Sequence, residues 1–417
     1  MGTSSETKEK AFEQMNFIEK VRSTGPAWMA AGLNIGGATV TNSVLLAAAT
    51  GFIFGWVFAL ATLAIFIAIY ACVKLTVITN MNPVELIKKE INPAFGYVTG
   101  AAILIVNTVF FGVQIALLGN VAHTVIPGMS NSMGSIVMIV LGIIFVLIPG
   151  KSATQFIQKG MQYMVYVLSL SFVVALFFVD VDWAGFFKGL VSFRLPTSKA
   201  DVLLFTAVLG SALAVNVPAI QAYASKNNNY NTEKLGIFRF ETVLTNIFLL
   251  LVQFAVLIVV TSTLFNNGVT PTGAIDAAVA LEPFAGKFST YLFCLGLFGA
   301  AFSTMIAETA VEAYVLTDMF NWDTKPETRN FKAIQLIMLV CGFIIPIFGF
   351  NPYSIVTWGG AFNATFMPIG ILAWFILINK KSLVGEHKAN KILNVGLIFA
   401  FLVGLVTAIR FWYVTLS

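Results

Sequence analysis

The sequence predicts an all-α polytopic membrane protein of eleven transmembrane helices, two of them interrupted. Three observations predict it. The 417 residues are 58% hydrophobic and 10% charged, with a mean hydropathy of +0.88, where soluble chains carry about 25% charged residues. Apolar runs of roughly 20 residues, long enough to cross a bilayer, recur throughout. Two of those runs, about 180 residues apart, combine glycine or proline with amide and hydroxyl side chains.

The apolar runs place α1 at 26–48, α2 at 52–79, α3 at 96–125, α4 at 133–149, α5 at 155–179 and α6 at 202–225. They continue with α7 at 237–264, α8 at 287–319, α9 at 332–350, α10 at 353–379 and α11 at 392–413. Residues 1–24 form a charged leader, with Lys8, Lys10, Lys20 and Arg22 against Glu6, Glu9, Glu13 and Glu19. The run after it keeps a polar break and lacks a small-residue cleavage signature, so no cleavable signal peptide is expected. Segment 181–200 is expected as an extracellular loop. Its Trp183, Phe186 and Phe187 suggest a short interfacial helix.

Basic residues set the orientation. Of 24 Lys and Arg, eighteen fall in the leader and the loops on its side, among them Lys88, Lys89, Lys226, Lys234, Lys380 and Lys381. Five fall on the other side: Lys188, Arg194, Lys199, Lys287 and Arg410. The bias predicts a multi-pass plasma-membrane protein with a cytoplasmic N-terminus and an extracellular C-terminus. The net charge of +5 follows from these loops and implies no nucleic-acid partner.

The order of spans divides the chain. A first unit, 25–180, holds α1 to α5, and a second, 201–380, holds α6 to α10. A cytoplasmic loop and α11 fill 381–417. Five is odd, so the second unit enters from the opposite side. Each unit opens with its broken helix, which predicts the inverted five-plus-five leucine-transporter-like fold.

The breaks supply the candidate substrate site. Unwound backbone in lipid is tolerated only where it lines a cavity or is buried in protein. In α1 the candidates are Asn34, Gly36, Gly37, Thr39 and Asn42, with glycine permitting the chain to unwind. In α6 they are Asn216, Val217, Ala219 and Gln221 around Pro218, which is expected to free the carbonyl one turn earlier. Broken helix ends present dipoles that hold ions.

Two carboxylates interrupt α8. Glu308 and Glu312 are four apart and share one helix face. Intramembrane carboxylates mark ion or proton paths. Asn107 and Gln114, two turns apart on α3, extend the candidate pathway. A second reading places both carboxylates near the inner interface, contacting water or loop lysines beside Asp318. Glu241 near the start of α7 is either water-facing or gate-pairing. Asn246, Gln253 and Asn363 are expected to bond between helices. Cys72, Cys294 and Cys341 have no disulfide or metal-ligand spacing and read as packing residues. No nucleophile triad or phosphate-binding loop is present, so neither an enzyme nor a cofactor is expected. The sequence leaves the oligomeric state open and is compatible with a monomer.

Several short motifs then stand out in order: Gly25-Pro26, Val77-Ile78-Thr79-Asn80-Met81-Asn82, Asp182-Trp183-Ala184-Gly185, Leu195-Pro196, Val217-Pro218, Ser303-Thr304, Asn321-Trp322 and Gly385-Glu386. By these the chain resembles the Nramp family of metal-ion transporters along nearly its whole length. The resemblance implies the inverted fold, a cytoplasmic N-terminus and proton-coupled uptake of divalent metal. The departures are informative. The family's Asp-Pro-Gly-Asn in helix 1 reads Gly36-Gly37-Ala38-Thr39 here. Its Met-Pro-His in helix 6 reads Val217-Pro218-Ala219, and its acidic path in helix 3 appears as Val109 and Gly112. Glu308 and Glu312 lie outside the usual family pattern.

Two substrate readings follow. In one, hard divalent cations, Mg²⁺ or Mn²⁺, pass partly hydrated through neutral oxygens of Thr39, Asn42, Asn216 and Gln221, with or without coupled protons, because the soft thioether ligand is lost. In the other, a small polar organic solute occupies a neutral hydrogen-bonding pocket on the same scaffold.

Overall fold

A computed structural model of the chain describes residues 15–16, 19–20, 36–148 and 151–417. Asn34, nearly all of the leader and the first part of α1 lie outside the described residues. Among the described residues there is no β-strand. Nine helical spans there are long and apolar enough to cross a membrane, joined by the shorter Asn131–Leu147 and by Gly37–Thr50 of α1.

The spans lie close to their predicted places. They are α2 Trp56–Thr79, α3 Pro93–Val125, α4 Asn131–Leu147, α5 Lys151–Ala175, α7 Leu235–Val260, α8 Ser289–Met319 and α11 Lys391–Leu416. Helix α6 has two halves, Lys199–Ala212 (α6a) and Asn216–Asn227 (α6b). Helix α9 comprises Arg329–Cys341 and Ile344–Phe348. Capping residues fix the starts. Asn92 precedes Pro93 and accepts from Phe95 N at 2.7 Å. Ser198 accepts from Asp201 N at 3.0 Å, and Asn390 from Leu393 N at 2.8 Å. Each satisfies a backbone donor that has no partner within its helix.

Helix α10 departs from the expected single span. It divides into Pro352–Asn363 (α10a) and Met367–Asn379 (α10b), with a turn at 364–366. Pro368 explains it. A proline ring collides with the carbonyl four residues back in a continuous helix, and the turn removes that carbonyl from its path.

The broken halves pack backbone to backbone. A β-carbon at Gly210 of α6a would stand 1.9 Å from the Gly360 carbonyl oxygen of α10a. One at Gly360 would stand 2.8 Å from the Ala207 oxygen. Small residues at such crossings let membrane helices approach closely. Gly210→Ala is therefore expected to lower the detergent melting temperature, since overpacking costs about 1–3 kcal/mol or more. An unchanged melting temperature would contradict this packing.

The loop between α5 and α6 contains the expected short helix, Trp183–Val191. Phe186 packs edge-on to Phe52 and Phe254. The following stretch is clipped to α2 and α11. Trp56 Nε1 donates to the Arg194 carbonyl at 3.2 Å, and the Arg410 guanidinium donates to the Pro196 carbonyl. Cys72 and Cys294 are buried, as packing residues should be, whereas Cys341 is exposed on α9.

Candidate functional site

The predicted break in α6 is present, and the described part of α1 starts at its predicted break. Gly36 is extended (φ −65°, ψ 161°) and α1 becomes helical at Gly37. In α6 the interruption falls at 213–215, and Asn216 opens α6b. Pro218 thus sits in the first turn of α6b, where an N–H would have no helical partner anyway. The Ala214 carbonyl accepts from Val217 N at 3.1 Å. The freed carbonyl expected one turn before Pro218 is therefore already engaged, and side chains supply the polar groups at this break.

The two breaks border a cavity of about 50 Å³, room for a few water-sized groups at roughly 10–15 Å³ each. Gly36 and Thr39 line it from α1, Gln114 from α3, Ser211, Asn216 and Val217 from α6, and Thr304 and Glu308 from α8. Ile65, Phe110, Leu249 and Val311 form the apolar wall.

Six of the predicted residues therefore meet at one place: Gly36, Thr39, Gln114, Asn216, Val217 and Glu308. Gly37, Asn42, Asn107, Ala219, Gln221 and Glu312 stand off the cavity lining, and Asn34 lies outside the described residues. Gly37 faces the scaffold, where a β-carbon would lie 2.9 Å from Gln114 Oε1 and 3.1 Å from Ala301 Cβ. Asn42 is one turn further along, and its Nδ2 donates to the Val356 carbonyl of α10a at 3.4 Å. Gln221 lies five residues past Asn216, a rotation of about 140° around the helix. Ala219 is fully buried in the core. Of the expected metal ligands, Thr39 and Asn216 reach the cavity, while Gln221 is rotated away from it and Asn42, one turn on, is turned to α10a.

Sequence reasoning missed Ser211 and Thr304. Each donates its hydroxyl to its own helix, Ser211 to the Val208 carbonyl at 3.1 Å and Thr304 to the Ala300 carbonyl at 2.7 Å. What remains for the cavity is oxygen lone pairs. Hydroxyls bonded this way are common in membrane helices, so the sequence offered little to single them out.

Three cavity residues each have a buried oxygen without a hydrogen-bond partner: Gln114 Oε1, Asn216 Oδ1 and Glu308 Oε2. An unsatisfied buried acceptor costs about 1–3 kcal/mol. Three on one cavity make a lining of acceptor oxygens, which a hydrogen-bond donor or a cation can satisfy. Glu308 is 4% exposed and, among the described residues, is the one carboxylate on the lining. The missing side chain at Gly37 leaves the space that the Gln114 oxygen occupies. Among the described residues, no three His, Cys, Asp or Glu cluster to hold a metal. The donor set is therefore hard oxygen with a single charge.

Glu312 points elsewhere. Its Oε2 accepts from Asn107 Nδ2 at 2.8 Å, and its Oε1 lies 3.2 Å from the Thr108 hydroxyl. The same Asn107 amide donates to the Glu308 carbonyl at 2.7 Å, and its oxygen accepts from Asn216 Nδ2 at 3.2 Å. The four-residue spacing thus places one carboxylate at the cavity and the other in a network behind it.

At the lysine-rich end, α6b is docked onto α8. Tyr223 donates to Asp318 Oδ2 at 2.6 Å and stacks on Tyr314 with centroids 5.1 Å apart. Asp318 also accepts from Val84 N and Glu85 N, each at 3.0 Å, at the start of the short helix Pro83–Glu90. Lys88 Nζ donates to the Met319 carbonyl at 2.7 Å and to Asn321 Oδ1 at 2.8 Å. Tyr223→Phe removes a bond to a carboxylate, worth about 1.5–3 kcal/mol. A cysteine placed at cavity-lining Ala307 should then react roughly tenfold faster with an aqueous thiol reagent, from the same free energy. An unchanged rate would show that this bond does not restrain α6b against α8.

Glu241 resolves in favour of pairing. It is fully buried and accepts from Tyr230 OH at 3.2 Å. Burial, and then the Glu241 carboxylate, push the Tyr230 phenol up, so it stays a donor. Gln253 accepts from Thr62 at 3.1 Å across helices, as expected. Asn246 Nδ2 instead donates to the Thr242 carbonyl of its own helix at 2.8 Å. Asn363 has neither amide atom bonded, because α10 breaks immediately after it.

Comparison with known proteins agrees with this architecture. A mutant of the manganese transporter of Eremococcus coleocola superimposes with a TM-score of 0.75 at 12% identity, covering 96% of this chain and 87% of that one. MhsT in complex with L-phenylalanine gives 0.61 at 14% identity, covering 94% and 98%. Mhp1, a nucleobase-cation-symport-1 family transporter, gives 0.60 at 13% identity, covering 93% of each chain. The divalent metal cation transporter MntH of Vibrio campbellii is 21% identical over 60% of this chain and 58% of its own length. MntH of Caldanaerobacter subterraneus is 21% identical over 54% of this chain and 53% of its own. The chain thus spans between a half and three fifths of the curated relatives it matches. Residues 27–414 match the family described as natural resistance-associated macrophage protein-like, Nramp, and the chain belongs to that family.

Proposed function

We propose that the chain is a secondary transporter that moves a divalent cation, Mg²⁺ or Mn²⁺, by alternating access through the cavity between the α1 and α6 breaks. The observation that carries this reading is the trio of unpartnered buried oxygens on Gln114, Asn216 and Glu308 around one small cavity. Mg²⁺ sheds water reluctantly and favours few carboxylates with retained water. One carboxylate, two amide oxygens and the hydroxyl oxygens of Thr39, Ser211 and Thr304 fit such an ion. Among the described residues the lining carries oxygen donors and no thioether, which favours hard ions over late transition metals. The curated relatives are named as divalent metal cation transporters, which supports the same class. An organic solute fits poorly, since small-molecule pockets run to about 300–1,000 Å³.

Glu308 is the cavity group able to accept a proton, so it is the candidate for proton coupling. The lysine-rich end faces the cytoplasm of the plasma membrane, following the basic bias of the loops. The test is uptake into proteoliposomes loaded with Mg²⁺- and Mn²⁺-sensitive dyes, with Ca²⁺ and Zn²⁺ as controls. Saturable Mg²⁺ or Mn²⁺ entry is expected. Folded protein that admits neither ion would overturn the reading.

A further inference from the structure

The network behind the cavity has a direction fixed by chemistry. Asn107 is fully buried on α3. One end of its amide lies 2.7 Å from the Glu308 carbonyl oxygen and 2.8 Å from Glu312 Oε2. A peptide carbonyl can only accept, and an ionised carboxylate can only accept, so this end must be the NH₂. Its oxygen therefore faces Asn216, at 3.2 Å. An oxygen there admits only a donor, so Asn216 must turn its own NH₂ toward Asn107. The group left for the cavity is Asn216 Oδ1, buried and unpartnered. Without the relay, the Asn216 amide could rotate by half a turn and offer its NH₂ to the cavity, repelling a cation.

We infer that Glu312 and Asn107 are positioning residues that orient Asn216 so that an oxygen faces the cavity, making the site selective for cations. The inference rests on the cation reading of the cavity. It removes Glu312 and Asn107 from the transport pathway and gives them a role in specificity. The relay also joins α8 and α3 to the first residue of α6b, so movement of α6b away from α3 would break the Asn107–Asn216 bond and release the orientation.

The experiment is a double-mutant cycle on Mn²⁺ affinity, read by isothermal titration calorimetry on full-length protein in detergent. Asn107→Leu should weaken Mn²⁺ binding about tenfold, because it removes the acceptor that holds Asn216. Asn216→Ala should weaken it by a similar factor, because it removes the oxygen itself. If Asn107 acts through Asn216, the double variant should bind no more weakly than Asn216→Ala alone. A merely structural role for Asn107 would give losses that multiply, to about a hundredfold, and would overturn the inference. So would wild-type affinity in folded Asn107→Leu. Asn107→Ala serves in the same cycle if the leucine variant is not monodisperse. Failure of the wild-type protein to bind Mn²⁺ or Mg²⁺ would defeat the cation reading instead. Wild-type binding with an additive cycle would defeat the relay alone.

Discussion

Glu308→Gln is expected to weaken divalent-cation binding at least a hundredfold and to abolish uptake. The substitution keeps size and one oxygen, so the protein should fold. What it removes is the one carboxylate among the described residues of the cavity lining. Two unit charges 4 Å apart attract by about 4 kcal/mol at an effective dielectric of 20, and a dication doubles this. The amide oxygen returns only part of that energy. A hundredfold loss corresponds to about 2.7 kcal/mol, well inside the margin. If Glu308 also carries the proton, residual uptake in the variant should no longer respond to a pH gradient. Calorimetric affinity within threefold of wild type would show that the cation does not rest on this carboxylate.

Gly37→Leu should abolish uptake for a different reason, and its stability should reveal the difference. The sequence suggested that Gly37 lines the substrate site. In the fold it is the contact of α1 with α3 and α8. A β-carbon there would meet Gln114 Oε1 at 2.9 Å, Leu117 Cδ1 at 3.0 Å and Ala301 Cβ at 3.1 Å. A leucine adds three further carbons to that space and drives the Gln114 oxygen from its position at the cavity. Overpacking of this kind costs about 1–3 kcal/mol, occasionally more. The melting temperature should therefore fall together with transport, whereas Glu308→Gln should lose transport with little change in melting. Wild-type uptake by Gly37→Leu would contradict the packing of α1 against the scaffold.

These contrasts mark what the sequence makes legible. Both breaks could be read because glycine, proline and amides stand out in an apolar run. Glu308 could be read because a carboxylate in a membrane span is costly. Helix positions were legible from run length, and α6, α8 and α11 start within about three residues of expectation. Rotation around the helix was less legible. Asn42 and Gln221 have the same chemistry as Asn216, but their faces are set by tertiary packing against α10 and the core. Glu312 could not be separated from Glu308 by spacing alone, since a shared face does not say which neighbour each carboxylate meets. The break in α10 had a visible cause in Pro368, yet that proline lies in a run otherwise typical of a single span. Ser211 and Thr304 were hidden because their hydroxyls look like ordinary helix residues until a cavity is found beside them.

Where the cation sits decides whether this cavity is the transport site. Crystals of the full-length protein soaked in Mn²⁺, measured for anomalous scattering, locate it without reference to transport. The expected result is one strong peak in the cavity, within coordination reach of the oxygens of Glu308, Asn216 and Gln114, and its loss in Glu308→Gln. A peak elsewhere in the membrane region, or none at saturating Mn²⁺, would contradict the assignment of this cavity as the transport site.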